Sequence, residues 1–132
     1  MRRGKEHWFA GKPAIRYNRR MKIVDGQITL AELKQMAKDR FGNFVKAVVD
    51  VKNGIMVLDA ELHADEEALL MEQGSRQPDL WGINIYPDLA GAERIEFDSM
   101  INLKPGQGNM TRSVEGQEIR DRITAIVTKL VN

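Results

Sequence analysis

The chain has 132 residues, no cysteine and a formal net charge of +1. That length suits one domain with a real core, and the lack of cysteine excludes disulfides, thiolate metal sites and a cysteine nucleophile. No apolar run approaches the roughly 20 residues that span a bilayer, and no start resembles a secretory signal, so the expectation is a soluble cytoplasmic protein.

The charge is unevenly spread. Residues 1–20 hold seven Lys and Arg against one Glu, while residues 21–132 hold thirteen bases and eighteen acids. The arm lacks helical or strand periodicity and reads as a disordered basic extension, with Met21 opening the patterned body as the natural start. Trp8, Phe9 and Tyr17 lie among the bases and give only a weak signal for stacking on single-stranded nucleic acid through this arm; apart from it nucleic acid is not expected as a partner, because the body is acidic.

The body reads as one α+β domain over 21–132. Ile23 and Val24 suit a short edge strand. Thr29 and Glu32 form a capping box, and Leu30, Leu33, Met36, Ala37 and Phe41 recur at helical spacing, which predicts a helix over 29–41. Asn53-Gly54 suits a two-residue hairpin turn. That turn sets Val51 opposite Met56, Val49 opposite Leu58, Ala47 opposite Ala60 and Val45 opposite Leu62 on an apolar face. The other face pairs Lys46 with Glu61, Val48 with Asp59 and Asp50 with Val57. Residues 64–73 suit a short helix ending at Gly74, with Asp65, Glu66 and Glu67 in its first turn. Strands are expected over 80–86, with Trp81, Ile83 and Ile85 facing the core, and over 94–103. A final helix is expected from Ser113 to about Leu130. The order α-β-β-α-β-β-α predicts a four- or five-stranded, mainly antiparallel sheet with helices packed on one face.

Two stretches carry candidate chemistry. In ELHADEE, strand alternation puts Asp59, Glu61 and His63 on one face, followed by Asp65 and Glu66. Carboxylates with one imidazole suit a hard divalent metal such as Mg²⁺ or Mn²⁺, with Asp59, Glu61 and His63 as ligands. They also suit acid–base catalysis by His63, Glu61, Asp65 and Glu66. The plainer alternative is a strand–helix junction with solvated acids. In KPGQGNMTRS, a glycine loop leads from a strand into a helix. Lys104, Gly106, Gly108, Asn109 and Arg112 are candidates for binding an anion. The match to known phosphate loops is poor, and the loop reads equally as turn chemistry with Asn109, Thr111 or Ser113 capping the helix.

The stretches ITLAELKQMAKDRFGNFVKAVVDV, ELHADEEALLMEQGSRQPDLWGINIYP and IEFDSMINLKPGQGNMTRSVEGQEIRDRI resemble a family of small prokaryotic proteins known only as a domain of unknown function. The resemblance spans about residues 21–131 and implies no activity, cofactor or partner. On the residues, the leading expectation is a non-catalytic binding or interaction module. The sheet face of Lys46, Val48, Asp50, Val57 and Asp59 would then meet a protein partner or a second copy. The alternative is a small metal- or phosphate-ligand-binding enzyme joining His63 and nearby carboxylates to the loop 105–112.

Overall fold

In the computed structural model, which describes residues 21–132, five antiparallel strands form one sheet in the order β1-β3-β2-β4-β5. They are β1 Lys22–Val24, β2 Val45–Asp50, β3 Ile55–Leu58, β4 Leu80–Ile85 and β5 Ile95–Glu96. Three helices join them: α1 Leu30–Arg40, α2 His63–Glu72 and α3 Gln117–Leu130. The basic arm, and the nucleic-acid expectation placed on it, lie outside the described residues. Among those described, no helix is long and apolar enough to cross a membrane.

The α+β class and the antiparallel sheet are as expected, but the helices lie on both faces of the sheet instead of one. On the first face, Leu33 and Ala37 of α1 and Ile123, Val127 and Leu130 of α3 bury Ala47, Val49, Met56, Leu58, Trp81, Ile83 and Ile85. On the second, Leu69 and Leu70 of α2 pack on Val48, Val57 and Leu80. The face expected to be open for a partner is therefore covered: Val48, Asp50 and Val57 are wholly buried. The chain's last residues close the first layer, with the Ile28 amide donating to the Leu130 carbonyl at 2.8 Å and the Asn132 amide to Ile28 at 3.0 Å.

Helix α1 begins as its sequence dictates. The Thr29 side chain accepts from the Glu32 amide at 3.0 Å, and Glu32 reaches back to the Thr29 amide at 3.3 Å. The hairpin keeps its two faces but not its register. Val49 pairs with Met56 and Ala47 with Leu58, a shift of two residues, which leaves each side chain on its expected face. The cause is Asp50. Its carboxylate accepts from the amides of Lys52 and Asn53 at 2.9 and 3.0 Å, from Asn53 Nδ2 at 2.8 Å and from the Ser75 hydroxyl at 2.6 Å. This builds a wider turn closed by the Gly54 amide on the Asp50 carbonyl, with Gly54 alone of the pair at positive φ, +70°. Burial by itself would raise the Asp50 carboxyl, but the hydrogen bonds from Ser75, Asn53 and Lys52 outweigh it and hold it below its ordinary value.

The second expected hairpin is also altered. Only Ile95 and Glu96 pair with β4, and the rest of 94–103 leaves the sheet. Asn102 does for Gly82 what a strand backbone would have done: its Oδ1 accepts from the Gly82 amide at 2.8 Å and its Nδ2 donates to the Gly82 carbonyl at 3.0 Å. Ser99 caps the short 3₁₀ turn Met100–Asn102, accepting from the Ile101 amide. Helix α3 starts at Gln117, with Gly116 in the cap position expected of Asn109, Thr111 or Ser113.

Two substitutions test this account. A methyl group at Gly82 would sit 2.5 Å from Ser99 Cβ and 3.2 Å from His63 Cγ. Gly82→Ala is therefore expected to lower stability by about 2–3 kcal/mol in urea unfolding. Asp50→Ala strands several donors at one turn and is expected to cost about 2–4 kcal/mol; an unchanged denaturation midpoint would sever the link between this carboxylate and the hairpin register.

Candidate functional site

The strand expected to carry Asp59, Glu61 and His63 on one face ends at Leu58. Asp59 stands at φ +77°, a left-handed conformation that Asp tolerates better than most residues, and it turns the chain toward α2. The three residues diverge from there. Asp59 is buried against Arg40, whose Nε lies 3.1 Å from its Oδ1. Glu61 is exposed and meets Arg40 Nη1 at 3.4 Å, in place of the Lys46 partner that the strand register predicted. His63 is the first residue of α2 and is buried. Among the described residues no three His, Asp or Glu side chains are grouped as a metal ion requires.

His63 is held structurally. Its Nε2 lies 2.8 Å from the Ile83 carbonyl, so Nε2 carries the proton and donates. Burial pushes its pKa down to about 4, against the weaker opposing pull of that carbonyl. Glu66, expected to serve the helix dipole in the first turn or to act in catalysis, is wholly buried. Its Oε2 accepts from the Ala60 amide at 3.0 Å, tying α2 to the loop before it. Burial raises its pKa well above the ordinary carboxyl value, the Ala60 hydrogen bond opposing. Asp65 is half-buried on the same turn.

The glycine loop splits in two. Lys104 is buried near the start of β4, donating to the Gln77 carbonyl at 3.1 Å with its ammonium 5.2 Å from the Trp81 ring centre; burial lowers its pKa. Asn109 is the hub of the loop. Its Nδ2 donates to the carbonyls of Asn102, Thr111 and Ser113, and its Oδ1 accepts from the Glu115 amide. The amides of Gln107, Gly108, Asn109 and Met110 likewise bond within the loop. Gly106 and Gly108 lie in and after the short turn Pro105–Gln107, where Gly108 supplies a left-handed residue at φ +82°. Arg112 lies toward His63, bound to Asp98 at 2.7 Å. Its charge is felt at the imidazole, lowering the pKa, with that of Asp98 opposing.

A second constellation forms at the end of the sheet where β2 begins and β4 ends. Lys46 and Asn84 stand opposite each other in the β2–β4 ladder. The Phe41 and Phe44 rings stack at 4.8 Å, and Phe44 meets Tyr86 at 5.4 Å. The Lys46 ammonium rides over the two phenylalanines, 5.5 and 6.0 Å from their centres. Glu96 Oε1 accepts from Asn84 Nδ2 at 2.9 Å and from the Tyr86 hydroxyl at 3.0 Å. The Lys46 charge acts on both Glu66 and His63, and that of Arg40 on Glu66, so the first turns of α2 share this end. Among the described residues, three buried polar atoms in this cluster have no hydrogen-bond partner: Arg40 Nη2, Glu66 Oε1 and Asn84 Oδ1. Each such group costs on the order of 1–3 kcal/mol unless water or a ligand satisfies it. Gly82 inside a strand marked a close approach, and a lysine between Val45 and Ala47 marked a cation carried into packed surroundings; the convergence of Arg40, Glu66 and Asn84 around it had no local signature.

The two buried groups of α2 limit stability from opposite sides. His63 has a folded pKa of about 4 against an ordinary 6.5, so the unfolded chain binds a proton that the folded chain refuses. Its contribution is complete above about pH 6.5 and is lost as pH falls toward 4, by up to about 3 kcal/mol. Glu66, raised above its ordinary 4.5, acts in the opposite sense: the unfolded chain releases a proton that the folded one keeps, so stability declines as pH rises above that value. Urea unfolding across pH 4–8 is expected to give a maximum inside this range. His63→Gln should flatten the acid limb and Glu66→Gln the alkaline one.

No curated protein and no solved structure matches this chain. The profile of DUF5674, a family described as protein of unknown function, matches residues 22–130, nearly the whole body whose elements have just been placed, and the chain belongs to that family.

Proposed function

We propose that this chain is a non-catalytic binding module, and that its recognition site is the end of the sheet where Lys46 lies over Phe41 and Phe44 and Tyr86 packs against Phe44. The observation that carries this reading is the state of Lys46. Its ammonium is held on two aromatic faces with no carboxylate in ion-pair reach among the described residues. An unpaired cation beside unpartnered buried polar atoms is a binding feature, because such groups are normally satisfied within the fold. Half-buried aromatic rings add an apolar wall with the contact area that ligands use. The histidine that suggested catalysis is committed to the Ile83 carbonyl, which favours binding over turnover.

A thermal-shift screen of small molecules on the full chain tests this. Compounds that raise the melting temperature are expected to lose most of that effect in Phe44→Ala and in Lys46→Gln, and to be recovered chemically unchanged after long incubation. Stabilisers that act equally on both variants would place recognition elsewhere, and conversion of a stabiliser would make the chain an enzyme.

A further inference from the structure

The polar groups at this end are unequally matched, and the mismatch defines the chemistry of what would satisfy them. Lys46 offers three N–H donors, and no hydrogen bond engages them among the described residues. Arg40 spends Nε on Asp59 and Nη1 on Glu61, which leaves Nη2 buried without an acceptor. Glu66 receives the Ala60 amide on Oε2, which leaves the partnerless Oε1 to carry the hydrogen in the neutral form that burial favours. All three therefore lack acceptors. Against them stands one lone acceptor, Asn84 Oδ1, whose Nδ2 is already committed to Glu96. The nearby carboxylates are engaged: Asp59 and Glu61 with Arg40, Glu96 with Asn84 and Tyr86, Asp98 with Arg112.

We propose that Lys46, Arg40 and Glu66 form an oxyanion-binding subsite that takes a carboxylate or phosphate group of a small ligand. Asn84 Oδ1 accepts a hydrogen bond from an O–H or N–H beside that group, and the rest of the ligand lies against Phe44 and Tyr86. This rests on the binding site proposed above and adds its ligand class. An oxyanion supplies several acceptor lone pairs within one small volume, meets the buried Nη2 of Arg40 and carries the charge that the unpaired Lys46 ammonium favours. A 2-hydroxy acid and a singly protonated phosphate monoester share the required pattern of oxygens with one donor alongside. A neutral ligand would leave Lys46 without a counter-charge.

The test is a titration of the isotope-labelled full chain, at constant ionic strength, with inorganic phosphate, with lactate and, as a neutral aromatic control, with benzamide. Backbone amide shifts give the readout. The expected result is saturable movement of the Phe44, Lys46, Ala60, Glu66 and Asn84 amides with phosphate or lactate, weakened about tenfold or more in Lys46→Gln. A response to phosphate alone assigns a phosphorylated ligand, and a response to lactate alone assigns a hydroxy acid. Anion-induced shifts confined to residues 1–20 or scattered over other surface lysines would overturn the subsite, as would equal affinity in Lys46→Gln. Benzamide moving these amides while both anions leave them still would refute the oxyanion class and keep the binding site. Silence from all three probes would remove both. Should Lys46→Gln fail to fold, the location of the shifts in the unaltered chain still decides.

Discussion

The hydrogen bond from His63 to the Ile83 carbonyl joins the first residue of α2 to the middle of β4. It forms only because the helix can come very close to the strand there. Gly82 gives the room: the space a side chain would occupy is taken by Ser99 and the edge of the imidazole. Asn102 then closes the strand's exposed backbone by bonding both the amide and the carbonyl of Gly82. One glycine thus lets a helix and a loop dock on the same residue. Leu69 and Leu70 follow along α2 and cover Val48, Val57 and Leu80. Without that contact the second sheet face would lie open, and Glu66 would stand in water.

The same docking creates the electrostatic character of the site. Covering the sheet carries Glu66 and His63 into surroundings that disfavour charge, so burial favours the neutral form of each, raising the pKa of Glu66 and lowering that of His63. Disfavouring charge on these two groups leaves the charges of Lys46 and Arg40 prominent at that end. Arg40 is answered by Asp59 and Glu61, whereas among the described residues Lys46 is answered only by the faces of Phe41 and Phe44. A cation held on rings keeps much of its attraction for an anion, because a ring quadrupole offsets charge more weakly than a carboxylate does.

The elements built by local rules were legible in the chain. Thr29 and Glu32 announced α1, and the alternation of 45–58 assigned both faces of the hairpin correctly. What escaped was set by side chains acting across the sequence. The hairpin shifted by two residues because Asp50 accepts from Lys52, Asn53 and Ser75, a turn whose last donor lies 25 positions away. The strand over 94–103 shortened because Asn102 replaced backbone pairing with side-chain bonding. Helix α2 misled most. Its buried stripe is His63, Glu66, Leu69 and Leu70, and the two polar members at its start read as solvated or catalytic groups, although their spacing is that of a core-facing stripe.

That stripe also separates the titratable residues of the sequence from the unmatched groups of the fold. A histidine and a run of acids concentrate titratable chemistry in the seven residues of ELHADEE. The fold spends those groups on docking α2: His63 on Ile83, Glu66 on Ala60, Asp59 and Glu61 on Arg40. The unmatched chemistry moved one layer inward, to Lys46 in a strand otherwise rich in valine. A lysine between Val45 and Ala47, facing a helix that covers its strand, can keep its charge only at the open end of the sheet. Phe41, Phe44 and Tyr86 gather at that end, and the unpartnered atoms of Arg40, Glu66 and Asn84 belong to residues of the same cluster.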